Sequence, residues 1–193
     1  RPLETEEDDL CSDCASKKRY FTNGYALLRH DDNARRIIYD LKYSSLRSNA
    51  DFLAWEFVEK AGRLIAMWHP QAFIPVPLHP ARARERGFNQ SSLIARALSE
   101  RLKMTEGIEI PVDNDLIIRN KNTAPQKGLS PDQRKENIGG AFLTAPGAEG
   151  SSYDTVVIVD DIFTTGATVD EMAKTLRKSG VSVVYFVTCS IVG

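Results

Sequence analysis

The sequence predicts an α/β domain built on a mainly parallel sheet with helices on both sides. Three observations carry that prediction. Val156–Val159 is a continuous β-branched-rich apolar run, the pattern of a strand covered on both faces, and Val181–Val187 is a second apolar run that reads as a strand. Between them Val169, Met172, Ala173 and Leu176 recur at i, i+3, i+4 and i+7, one face of a helix. The chain's 193 residues suffice for one full-sized core and are short for two.

Each element follows in order. Arg1–Asn23 predicts an irregular arm, so residues 1–24 are set apart from a domain spanning 25–193. Asp32–Leu41 places Ile37, Ile38 and Leu41 at helical spacing, with Asp31 or Asp32 as its cap. Asn49–Met67 predicts a longer helix ended by Pro70. Its core face is read as including Phe52, Leu53, Phe57 and Leu64, with Trp55 assigned to the core rather than to a base-stacking platform. Phe73–Val76 starts the sheet, and Ser91–Lys103 is amphipathic through Leu93, Ile94, Ala97, Leu98 and Leu102. Leu116–Ile118 predicts a second strand, ahead of the runs at 156 and 181. Thr168 and Glu171 have capping-box spacing, which starts the last helix at Thr168, and Gly180 ends it.

Composition narrows the function classes. A formal net charge of −1 gives no general support to nucleic-acid or membrane-surface binding. The acidic start, RPLETEEDDL, lacks the basic and apolar regions of a signal peptide. The C-terminal apolar run is short for a membrane span and is broken by Ser182, Thr188 and Ser190. The expectation is a soluble cytoplasmic protein without a membrane span. Cys189 ends an apolar strand and reads as a small buried hydrophobe. Cys11 and Cys14 form one CxxC, half of a zinc site, whereas a structural zinc takes four ligands. His30 alone cannot complete it.

Chemistry concentrates at Thr155–Met172. Asp160 and Asp161 sit at the end of a buried strand, where ligands of parallel sheets bind. Thr164, Thr165, Gly166, Ala167 and Thr168 then lead into a helix whose first N–H groups lack partners and carry partial positive charge. Acids for hydroxyl groups and a backbone turn for phosphate suit a sugar phosphate. An ordinary capped strand–turn–helix would explain Gly166 and Thr168 but not the paired acids. No G-x-x-x-x-G-K-S/T or G-x-G-x-x-G segment occurs, which removes support for a P-loop NTPase or a dinucleotide-binding fold. After the Phe73 strand comes a loop, His79–Gln90, with Arg82, Arg84 and Arg86, side chains whose planar fork suits phosphate. Between Ile118 and Ala141 runs a long segment with Arg119, Lys121 and Lys127 ahead of its first acid, Asp132, and such segments are usually functional or disordered.

VVIVDDIFTTGAT, Val156–Thr168, resembles the phosphoribosyl-pyrophosphate (PRPP) signature of the type I phosphoribosyltransferases, departing only at Phe163, where an aliphatic residue is commoner. FIPVPL with HPARARERGFNQSSLIARAL, and RGFNQ (Arg86–Gln90) above all, is similar to the ComF branch, named for bacterial DNA-uptake competence. IYDLKY at Ile38–Tyr43 and RNKNTAPQKGLSPDQRKENIGGAF at Arg119–Phe142 extend the likeness from about Tyr25 onward.

The resemblance implies a type I phosphoribosyltransferase fold with a mobile hood loop. It implies transfer of a ribosyl 5-phosphate to an unidentified base or amine, with magnesium pyrophosphate leaving. Asp160 and Asp161 would hold the ribose hydroxyls, and Thr164–Thr168 would cradle the 5′-phosphate. Arg82 and Arg86 would meet the diphosphate, and Arg119 and Lys127 would offset its charge during catalysis. Many relatives carry two cysteine pairs ahead of the domain, so Cys11 and Cys14 stand as a zinc half-site. Two other roles stay open, a non-catalytic PRPP sensor and a competence accessory protein handling single-stranded DNA. A homodimer is also open.

Overall fold

The computed structural model describes residues 18–43, 47–123, 128–148 and 152–192, without the side chains of 42, 43 and 47. Cys11, Cys14 and Lys127 lie outside the described residues.

Four strands form a parallel sheet: β1 (Asn23–Arg29), β2 (Ala72–Pro75), β5 (Thr155–Phe163) and β6 (Val183–Ile191), in the order β1-β6-β5-β2. The mainly parallel α/β architecture expected from the sequence is what the chain adopts. Val156, Val157, Ile158 and Val159 are all fully buried. Burying side chains of this size contributes about 1.5–3 kcal/mol each, which fixes β5 at the sheet's centre.

Successive side chains of β5 alternate between faces. On face one, Val157 and Val159 pack with Phe73, Val187 and Cys189 against three helices: α1 (Asp32–Tyr43), α2 (Arg47–Met67) and α4 (Gln90–Glu106). On face two, Val156 and Ile158 pack with Ile74, Val184 and Phe186 against α6 (Ala167–Lys178) and Ile138 of α5 (Pro131–Ile138). A two-stranded antiparallel hairpin, β3 (Ile117–Arg119) with β4 (Phe142–Thr144), completes that face. Among the described residues no helix is long and apolar enough to cross a membrane.

Several expectations need correction. Leu116–Ile118 does not feed the main sheet, because Ile117–Arg119 pairs with β4 in the separate hairpin. The segment from 118 to 141 is not structureless. It holds α5, whose Ser130 and Gln133 form a reciprocal capping box. Residues 80–86, read as a loop, form a short helix, α3 (Pro80–Arg86), with Pro at its first turn and the His79 side chain accepting from the Ala81 N–H at 3.2 Å. Phe52 and Leu64 do not face the core, being 47% and 37% exposed, and Trp55 is 40% exposed. Phe52 adjoins the fully buried Leu53, and neighbouring residues on a helix point in different directions.

The last helix starts at Ala167, one residue earlier than expected. Gly166 is its N-cap, with a left-handed φ of 77° and no side-chain cap bond. Thr168 is therefore not the N-cap of a capping box, and Glu171 turns to other partners, its Oε1 accepting from the Gly140 N–H at 2.9 Å and its Oε2 lying 3.7 Å from Lys174 Nζ. Phe163 stacks on Phe186 with ring centroids 4.9 Å apart, and Phe21 meets both rings edge-on. Gly24 leaves the room this trio needs, since a Cβ there would sit 2.2 Å from the Phe186 ring.

Candidate functional site

The site begins where two neighbouring strands stop at different heights. On one side of β5 the last ladder bond runs from the Val76 N–H to the Val159 carbonyl at 3.0 Å. On the other side pairing with β6 continues from Asp160↔Thr188 to Phe163↔Ile191. The chain leaving β2 therefore diverges from β5 at the level of the two acids. A cleft at the carboxyl ends of parallel strands is where ligands of such sheets bind.

Asp160 and Asp161 lie within β5 rather than beyond it, at 7% and 8% exposure. Strand alternation sends them to opposite faces. Asp161 follows Val157 and Val159 toward face one, where its Oδ2 accepts from Gln90 Nε2 at 3.2 Å at the start of α4. Gln90 Oε1 in turn accepts from Arg86 Nη1 at 2.6 Å. The relay Arg86–Gln90–Asp161 thus ties the RGFNQ segment to the acids across 71 residues. Asn89 fixes that segment. Its Nδ2 donates to the Val76 carbonyl at 3.0 Å, and its Oδ1 caps α4 by accepting from the Ser91 N–H at 3.0 Å.

Asp160 follows Val156 and Ile158 toward face two, where its charge acts on Arg119. Arg119 and Arg82 converge on one residue, the buried Thr123. Arg82 Nη2 donates to its carbonyl at 2.9 Å, and Arg119 Nη2 donates to its hydroxyl. Burial first, and then the neighbouring Arg82, lower the Arg119 pKa from its ordinary value, while Asp160 opposes both. Two guanidiniums held together in a partly buried place form a ready anion site. Arg119 Nε is buried without a hydrogen-bond partner among the described residues.

Arg82 and Arg86 are one helical turn apart on α3 and half-buried, whereas Arg84 is exposed. The turn Thr164–Thr168 sits at the carboxyl end of β5, with Gly166 buried and its four neighbours half-buried. The Ala167 N–H approaches Thr165 Oγ1 at 3.4 Å. The structure thus brings together Asp160, Asp161, Arg82, Arg86, Arg119 and the turn.

The chain matches the phosphoribosyl transferase domain over residues 89–190. It is 40% identical to competence protein F of Haemophilus influenzae over 124 residues, covering 64% of this chain and 52% of that protein. To the DNA utilization protein YhgH of Escherichia coli it is 34% identical over 151 residues, 77% of this chain and 63% of that protein. Competence protein ComFC of Streptococcus pneumoniae is 25% identical over 188 residues, 92% of this chain and 73% of the relative. The chain belongs to the ComF family of phosphoribosyltransferase-fold proteins. It spans about half to two thirds of the length of its first relatives.

Within this ComF chain two contact residues escaped assignment to the site from sequence. Gln90 and Thr123 are uncharged and carry no chemistry of their own. The local signal for Gln90 was its four-residue spacing from Arg86. Thr123 had none, since its two arginine partners reach it from α3 and β3.

Proposed function

We propose that this chain binds PRPP with magnesium and transfers the ribosyl 5-phosphate to a base or amine. The observation that carries this reading is the convergence of opposite charges at one strand end. Asp160 and Asp161 project from β5, the Arg82–Arg119 pair stands beside Asp160, and the N-terminus of α6 follows. The two carboxylates would accept from the ribose hydroxyls, the turn at Thr164–Thr168 would take the 5′-phosphate, and the arginines would meet the diphosphate. The acceptor's nitrogen lone pair would attack ribose C1. The C1–O bond to the diphosphate would break with its electron pair leaving on pyrophosphate, and the acceptor's proton would pass to solvent.

Among the described residues no cluster of three or more His, Cys, Asp or Glu side chains could cage a cation. Magnesium fits such a site as an ion carried mainly by phosphate oxygens and water, with Asp160 and Asp161 as the carboxylates able to meet it. Bound there, it would offset charge on the diphosphate. The zinc half-site at Cys11 and Cys14 remains a proposal for a metal-holding arm.

The test is a pyrophosphate-release screen on the full chain with magnesium, PRPP and a panel of bases and amines. Release that depends on one nucleophile is expected. No release across the panel, with calorimetry showing PRPP bound, would leave a sensor in place of a transferase.

The relatives' names, competence protein F and DNA utilization protein, support a second role in DNA handling. One observation offers it a surface: Phe52 and Trp55 are exposed on α2 with ring centroids 6.3 Å apart. Base stacking on aromatic side chains contributes about 1–3 kcal/mol per base. Joint Phe52→Ala and Trp55→Ala substitution should weaken binding of labelled oligo-dT by roughly tenfold or more in fluorescence anisotropy. Equal binding by variant and parent would remove this surface.

A further inference from the structure

Arg19 lies ahead of the segment that matches the phosphoribosyl transferase domain, yet its Nη2 donates to the backbone carbonyl of Thr165 at 3.2 Å. The two residues are 146 positions apart. The Arg19 side chain is only 14% exposed, and its guanidinium sits 5.7 Å from the centre of the Phe21 ring. Its Nη1 lies 3.9 Å from Asp170 Oδ2, and the next residue's backbone, the Tyr20 N–H, donates to Asp170 Oδ1 at 2.7 Å. Arg177 Nε donates to the Tyr20 carbonyl at 3.2 Å. Residues 19 and 20 are therefore stitched to both ends of α6.

We propose that Arg19 is a positioning residue of the phosphate turn, an assignment that rests on the PRPP-binding reading above. Two physical effects follow from its contacts. A trans peptide is planar, with C=O and N–H pointing in opposite directions. Holding the Thr165 carbonyl toward Arg19 therefore aims the Gly166 N–H the other way, away from Arg19, and keeps that carbonyl oxygen from turning toward an anion bound at the turn. The second effect is electrostatic. Asp170 lies in the first turn of α6, where a carboxylate competes with a bound phosphate for the same positive helix end. Arg19 and the Tyr20 N–H take up both of its oxygens and offset that charge.

The test compares calorimetric affinities of the full chain for ribose 5-phosphate, magnesium PRPP and magnesium pyrophosphate. Arg19→Ala is expected to weaken the first two by a common factor of roughly tenfold and to leave pyrophosphate unchanged. Adding Asp170→Asn should recover part of the loss. If Arg19→Ala does not fold, Arg19→Lys decides. An ammonium keeps the charge but cannot fork to both Thr165 and Asp170, so ribose 5-phosphate should weaken severalfold while pyrophosphate holds. Unchanged ribose 5-phosphate affinity in the decisive variant, or a loss shared equally by pyrophosphate, overturns the assignment. A parent chain that binds neither PRPP nor ribose 5-phosphate overturns the functional reading and this assignment together.

Discussion

Asp161→Ala is expected to weaken magnesium PRPP binding by about a hundredfold. Each hydrogen bond to a charged carboxylate contributes about 1.5–3 kcal/mol, and in the proposed complex the oxygens of Asp161 would accept from neighbouring ribose hydroxyls. The substitution also leaves Gln90 Nε2 without its acceptor, which loosens the relay to Arg86. The effect on apo stability should be small, because removing a carboxylate that is only 8% exposed also removes its desolvation cost and so offsets the unpaired Gln90 amide. Thr168→Ala is the comparison. Gly166 rather than Thr168 caps α6, so the loss there should stay below about tenfold. Calorimetric titration of both variants decides the matter, and equal affinities would sink the claim.

Gly166→Ala should damage both stability and ligand binding. Two costs add at this position. A non-glycine residue in the left-handed region costs about 1–2 kcal/mol, and Gly166 has φ 77°. A Cβ there would also lie 2.6 Å from Phe163 Cζ. A lone exposed ring could swing aside, but Phe163 is stacked on Phe186 and met edge-on by Phe21. Overpacking of this kind costs about 1–3 kcal/mol. The expected loss in chemical denaturation is therefore about 2–5 kcal/mol. Phe163→Leu in the same chain should return the steric share only. Full recovery by that second change would show that the backbone conformation carries no cost, contrary to this account.

The centre of the fold was legible and its margins were not. Val156–Val159 announced a doubly covered strand, and the period of Val169 to Leu176 announced the helix behind it, because burial writes itself into side-chain type. β1 went unseen because it is an edge strand whose residues are mostly half-buried, so NGYALLR shows neither a continuous apolar run nor clean alternation. α3 went unseen because PARARER buries no residue at all. Its helix rests on Pro80 and the His79 cap, and its sequence reads as a charged turn. In the site, the acids, the arginines and the glycine turn could be named from their chemistry. That Asp160 and Asp161 turn to opposite faces follows from strand alternation, but only once β5 is known to run on to Phe163. The contacts of Thr123 and Arg19 join residues 41 and 146 positions apart, and no local pattern encodes such a pairing.

The two glycines beneath the aromatic trio couple substitutions at one position to substitutions at another. Ring and glycine occupy the same space at 24 with 186 and at 166 with 163. A side chain at position 24 and phenylalanine at 186 cannot share that space as the backbone stands, so a change at either position is felt at the other. Each ring thus holds its glycine, and at 166 the left-handed φ of 77° adds a second restriction that a smaller residue at 163 would not lift.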